Sequence, residues 1–295
     1  MAAAAFGVMA FLVHHQASRV PSSELAVVRA VATLAVLLPF CWRELAKLRR
    51  GRDAAFVWLR AVAGAVSIFC YFWNLQHADV GTASVFVDIS PAVLALLSVR
   101  ITGDFVPRRA RVGAIVAVAG ASLVHTSEST RPPTAATIVG VFGLAAAVIA
   151  QLSLRRAAQK YSPLLLVSCL SIVLVVIGPW LPGERWVHPS DADLAILVGI
   201  IATSIVGQLC FSASFRDLPA TTASALSLLA LVCAVGIEEV LDHHDVEPLE
   251  YLAYGLVVGG IIVVHVINGR AASARDVLAR ATLDGVAARP PDAPG

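Results

Sequence analysis

The chain reads as ten long apolar runs separated by short polar turns. The runs are 2–17, 25–42, 55–75, 82–99, 112–125, 138–154, 163–181, 194–215, 220–241 and 251–268. A bilayer core of about 30 Å takes about 20 residues of helix, and most of these runs come near that length. Lipid satisfies no backbone donor or acceptor, so the spans are expected to be helices. Several turns carry Pro or Gly, among them 76–81 and 182–193.

Charge divides the turns into two sets. Of the 22 Lys and Arg residues, 17 fall in alternate connections: Arg43–Arg52, Arg100–Arg111, Arg155–Lys160, Arg216 and the tail from Arg270. The opposite connections hold only Arg19, Arg131 and Arg185, while Arg29 and Arg60 lie within spans. By the positive-inside rule both termini are expected in the cytoplasm, with the protein in the inner (cytoplasmic) membrane. The Ala/Arg-rich segment 269–295 reads as a largely disordered cytoplasmic tail. Hydrophobic residues are 58% of the 295 and charged ones 14%, against roughly a quarter charged in soluble domains. The first run has no Lys or Arg before it, so it reads as a span and not as a signal peptide. The five cysteines sit in apolar runs without metal-binding spacing and read as small hydrophobes.

One segment returns at an offset of 140 residues. Cys70 matches Cys210, and Thr82-Ala-Ser84 matches Thr222-Ala-Ser224, each where a third span passes to a fourth. An odd number of spans per half makes the halves insert in opposite senses. The expected fold is therefore all-α, with ten transmembrane helices as two inverted five-helix repeats, 1–130 and 131–268.

The first half resembles the EamA-like family of the drug/metabolite transporter superfamily. The residues that carry the resemblance are Arg29, Leu59-Arg60-Ala61 with Gly64, the stretch Leu75-Gln76-His77-Ala78-Asp79-Val80-Gly81-Thr82-Ala83, and Ser90-Pro91. The family's Gly-Glu pair is here Gly103-Asp104, and in the second half its Pro and Glu positions are Leu231 and His244. The resemblance implies a carrier of small organic molecules, export slightly favoured over import, and leaves the substrate open.

Ionisable groups inside spans are costly and call for an explanation. Helical phase puts His14 on the small face of span one with Ala3, Gly7 and Ala10. In span three, Arg60, Gly64, Ser67, Tyr71 and Asn74 form one stripe. In span four, Asp88 shares a small face with Pro91, Ala92 and Ala95, opposite the bulky Phe86, Val93 and Leu96. In span nine, Glu238 aligns with Ser227, Ala230 and Ala234, opposite Leu228 and Leu231. Arg29 and Asp88 lie at matching depths, either as a structural ion pair or with one of them serving substrate or proton. Gln208 joins Asn74 as interhelical glue or ligand, and Pro91 marks a kink or hinge. Glu238 and His14 also suit the membrane interface, and Arg60 could snorkel to the cytoplasmic end.

No phosphate-cradling GxxxxGK[ST] stretch occurs, so ATP hydrolysis by this chain is not expected. An intramembrane enzyme would need a nucleophile with its base, paired aspartates or a metal trio. The chain offers one deep aspartate, and its one metal-like cluster, 243–247, is a run of neighbours in an outer turn. A sensor or partner subunit would need an effector domain. The expectation is a secondary carrier without cofactor, metal or nucleic-acid partner, monomeric or homodimeric, whose partners are a small-molecule substrate and the lipid bilayer.

Overall fold

The computed structural model describes residues 1–16, 22–48, 53–77, 86–101, 107–125, 134–180, 191–241, 249 and 251–267, some of them at helix ends by backbone alone. Gly103-Asp104, the 243–247 turn and the tail lie outside these residues. Among the described residues every regular element is helical. The helices are α1 (Ala2–Gln16), α2 (Ser22–Leu48), α3 (Ala54–His77), α4 (Ser90–Ile101), α5 (Arg108–His125), α6 (Thr134–Ala158), α7 (Pro163–Ile177), α8 (Asp191–Asp217), α9 (Ala220–Ser227), α10 (Leu229–Leu241) and α11 (Tyr251–Ile267). A single helical turn, 86–88, precedes α4.

Four of them, within α2, α3, α6 and α8, are long and apolar enough to cross a membrane by length and composition. Several helices outrun their apolar stretches: α2 continues through Arg43 and Glu44, and α6 through Arg155 and Arg156. Charged ends reaching past the hydrocarbon account for the extra turns.

Small residues fill many of the helix contacts, beside buried Phe215, Leu94, Leu154 and Ile200, and many large side chains face outward. Ala61, Ala65, Ala95, Ala114, Ala117, Ala121 and Ala157 are fully buried, while Phe40 (75% exposed), Ile138 (66%), Phe142 (62%) and Val198 (65%) face outward. A soluble core would hide the large groups. Apolar groups gain nothing by leaving lipid, so membrane helices bring small residues to their contacts and leave bulky ones outside. The crossing of α5 and α11 follows this logic, with a Cβ at Gly260 falling 2.5 Å from the Gly113 carbonyl oxygen.

Pairing brings the two halves of the chain together. Helix α3 packs along α6, α1 along α8 and α10, and α2 along α7. One end of the bundle is tied by polar contacts. Arg155 donates to the carbonyls of Phe215 (2.7 Å) and Arg216 (2.9 Å), closing the last turn of α8 with a cation. Arg156 lies 5.0 Å over the Phe56 ring, Lys160 bonds Asp53, and Ser162 donates to Glu44. Three of the Arg-rich connections therefore meet at this end.

Two near-continuous spans are broken. A turn at Ile89 precedes Pro91, and Ile89 O accepts from the amides of Ala92 (3.0 Å) and Val93 (3.2 Å). The ninth apolar run, expected as one helix, turns at Leu228, where Leu228 O accepts from Leu231 N (3.1 Å). Leu231 stands at the 140-residue offset from Pro91. The second break thus forms without a proline, and packing of Leu228 against Ala117, Val118 and Val257 holds it.

Candidate substrate crevices

Two crevices lie between the halves, and their linings correspond. The larger, about 290 Å³, is lined by residues that include Ala3 of α1, Cys210, Phe211 and Ser214 of α8, and Ala223, Leu226 and Ser227 of α9. The smaller, about 10 Å³, is lined by Cys70, Tyr71 and Asn74 of α3, Phe86 and Val87 before α4, and Gly140 and Gly143 of α6, among others. At the 140-residue offset the pairs are Cys70/Cys210, Tyr71/Phe211, Asn74/Ser214, Phe86/Leu226, Val87/Ser227 and Gly143/Ala3.

The difference in volume has a local cause. The Phe86 ring lies on bare backbone at Gly140, where a Cβ would come 2.2 Å from the ring. Cys70 closes on Gly143 in the same way, at 2.7 Å. The remaining space is near the least that holds one water. Leu226 stands at Phe86's offset position and lines the open crevice instead.

The walls of the larger crevice are apolar. Its hydroxyls are already engaged on their own helices: Ser214 donates to Phe211 O (2.7 Å) and Ser227 to Ser224 O (2.6 Å). Phe211 anchors an aromatic cluster, 6.0 Å from the Phe6 ring and 4.9 Å from Phe215. Nearby spans carry orphan acceptors: Asn74 Oδ1, Gln151 Oε1 and Gln208 Oε1 are buried without a hydrogen-bond partner. Gln151 Nε2 donates to Ser90 Oγ (3.2 Å), tying α6 to α4 beside Pro91.

Residues 1–126 and 131–266 each match the EamA-like transporter family. The chain belongs to this family. An EamA-like protein, the pseudopaline exporter CntI of Pseudomonas aeruginosa, is 25% identical over 238 residues, 80% of this chain and 83% of the relative. An uncharacterised transporter of Helicobacter pylori is 23% identical over 229 residues, 73% of this chain and 75% of its own length. A solved crystal structure superimposes with a TM-score of 0.73 over 91% of this chain and 96% of its own, at 18% identity. The EamA-like chain is a multi-pass membrane transporter, and its cargo class is small molecules.

The residues singled out from sequence divide in this EamA-like fold. Tyr71 and Asn74 line the closed crevice. Gln208 is half-buried on α8, one turn before Phe211. Asp88 is half-buried, next to Val87 of the closed crevice. Arg29 donates to Met9 Sδ (3.6 Å), which ties α2 to α1. Pro91 is buried just past the first helix break. The side chains of His14 and Glu238 lie outside the described residues.

Three placements differ from the helical-phase reading. Phe86, grouped with the bulky residues opposite Asp88, lines the smaller crevice. Ala230 and Ala234, aligned with Glu238 on one small face, press on α1, where a Cβ at Gly7 would fall 2.9 Å from Ala230 O and 3.1 Å from Ala234 N. Small residues there serve close helix approach. Arg60 does not snorkel: it is 8% exposed, and its guanidinium lies over Gly64, one turn deeper in α3. The four-residue spacing of Arg60 and Gly64 was the signal available in the sequence for that placement.

Proposed function

We propose that this EamA-like chain is a secondary carrier that moves a small organic molecule across the cytoplasmic membrane by alternating access. The observation that carries the reading is the pair of corresponding crevices, one of about 290 Å³ and the other filled down to about 10 Å³. Two inverted five-helix repeats, 1–130 and 131–268, produce such a pair when each adopts a different conformation around one central path. The helix contacts support this plan: α3 on α6 is the offset counterpart of α8 on α1.

The charge distribution assigns the sides. With both termini in the cytoplasm, Cys210–Ser214 near the end of α8 and Ala223–Ser227 on α9 belong to the cytoplasmic half. Cys70–Asn74 and Phe86 belong to the outer half. The clustering of three Arg-rich connections at one end supports this orientation. The state described is then loaded from the cytoplasm, which suits export, the direction in the name of the Pseudomonas aeruginosa relative.

Arg29 and Asp88 lie in the outer half. They form a structural ion pair there, or one of them serves the coupling proton or substrate. Asn74, Tyr71 and Gln208 supply polar contacts along the path, His14 and Glu238 are further candidates at its outer end, and the breaks at Ile89 and Leu228 let α4 and α9–α10 swing. Flux through purified protein in liposomes tests the carrier reading, with compounds chosen from a growth screen of a deletion strain on metabolites and toxic analogues. Saturable flux above protein-free liposomes supports it; its absence across every hit of the screen overturns it.

A further inference from the structure

Arg60 occupies a place that ordinary packing does not explain. Helical side chains lean toward the N-terminus, and that direction would carry Arg60 back to the Arg-rich end of the span. Its guanidinium runs the other way. A Cβ at Gly64 would lie 2.0 Å from Arg60 Nη1 and 3.1 Å from Leu170 Cδ1, so only the bare backbone of Gly64 leaves room for the charge. Gly64 lies about 15 Å into a helix about 36 Å long, at 1.5 Å per residue, close to mid-span.

The charge is also unpaired. Among the described residues nothing gives the Arg60 guanidinium a hydrogen bond or ion pair, and the residue is 8% exposed. An uncompensated cation at membrane depth is costly, and such groups mark substrate or ion pathways. Arg60 sits beside the packed cluster that extends to the larger crevice. Ala61, Ala65 and Leu170 around it belong to one packed cluster with Ala223 and its neighbour Phe211, both of which line that crevice.

We propose that Arg60 is the counter-charge for an anionic group of the transported molecule: a carboxylate, a phosphate or a sulfonate that enters through the open crevice. The inference rests on the carrier reading and adds the substrate's charge class. The planar guanidinium fork donates to two oxygens of such a group at once, and Lys offers only a point charge. A lipid headgroup phosphate is the other source of this chemistry.

The test uses the full chain, Arg60→Gln and Arg60→Lys in phosphatidylcholine liposomes, with and without added phosphatidylglycerol. The liposomes are bathed in an extract of small polar metabolites, and their trapped contents are read by mass spectrometry beside protein-free liposomes. The wild type is expected to trap compounds bearing an anionic group. Arg60→Gln should trap about tenfold less or lower, a difference of one decade in affinity, with Arg60→Lys between the two. Arg60→Gln should also melt at or above the wild-type temperature, because it removes a buried charge that no described residue compensates.

Trapped compounds without an anionic group, or equal trapping by Arg60→Gln, would overturn the proposal and leave the carrier standing. Melting of Arg60→Gln well below wild type would assign Arg60 to the scaffold and overturn it too. If phosphatidylglycerol raises the melting temperature of the wild type alone while trapping ignores the substitution, the anion is a headgroup and the substrate assignment fails. A wild type that traps nothing fails the carrier reading itself.

Discussion

The two crevices are built from corresponding residues and differ at a few positions. In the closed one, the Phe86 ring rests on Gly140 and Cys70 on Gly143, leaving about 10 Å³. In the open one, Leu226 replaces the ring and Ala3 stands where Gly143 does, beside about 290 Å³. Asp88 follows Val87 of the smaller crevice in sequence, while Arg29 reaches Met9 on α1. Arg29 and Asp88 have Cys169 and Leu228 as their offset counterparts. One side is therefore packed ring on glycine, and the other leaves room between largely apolar walls. Ring-on-glycine contact suits a gate in lipid, where packing and not water exclusion drives association.

The contrast breaks most completely at Gly140. Gly140→Val puts methyl groups into the ring's seat, so Phe86 must leave and the outer crevice cannot seal. Substrate-driven flux should fall at least about tenfold, as expected when interface packing worth about 1.4 kcal/mol or more is lost from one state. Detergent-extracted protein should still elute as one symmetric peak in size-exclusion chromatography. Normal flux in Gly140→Val would remove Phe86 from the gate.

The charges come next. If Arg29 and Asp88 form a structural pair, Asp88→Asn and Arg29→Gln each strand the partner, a loss of about 3–5 kcal/mol for a buried pair. Membrane abundance on immunoblots should drop several-fold in each single variant and recover in the double one. If Asp88 carries the coupling proton, Asp88→Asn inserts normally, keeps exchange and loses accumulation driven by a pH gradient. In that case the double variant does not recover accumulation.

Much of the fold was legible because lipid imposes few rules and the sequence obeys them. The helical class and the apolar helices follow from run length, and the correspondence of the crevice linings from the match of Cys70 to Cys210 at one offset. Phe86 was misplaced because phase along one helix tells which residues share a face, not which neighbour receives them. Gly140 lies 54 positions away and announces nothing in a span full of small residues. The break at Leu228 was missed because no proline marks it, and tertiary packing on α5 and α11 sets it. Arg60 was judged from its depth alone, whereas its reach depends on the missing side chain at Gly64.

A smaller change should sharpen the contrast from the other side. Leu226→Phe gives the open crevice the ring that the closed one has. Alkylation of Cys210 from the cytoplasmic side should slow a few-fold, with stability shifting by about 1 kcal/mol or less, since there is room for the ring. Smallest is the clamp behind the open crevice. Arg155→Ala removes two bonds to the carbonyls of Phe215 and Arg216 at the end of α8. It should cost about 1–2 kcal/mol, read as a few degrees in the melting temperature of the purified protein, with flux retained.

The central claim is that one crevice is open to the cytoplasm while its counterpart is shut to the outside, and two native cysteines report on it. Cys210 lines the open crevice and Cys70 the closed one. Single-cysteine proteins keeping one or the other can be treated with a membrane-impermeant maleimide, from outside in spheroplasts and from the cytoplasmic side in everted vesicles. The account predicts rapid labelling of Cys210 from the cytoplasmic side only. Cys70 should stay unlabelled from both sides, until Phe86→Ala exposes it to the outside. Labelling of Cys70 from outside at the rate of Cys210, with Phe86 in place, or labelling of Cys210 from outside, would contradict it.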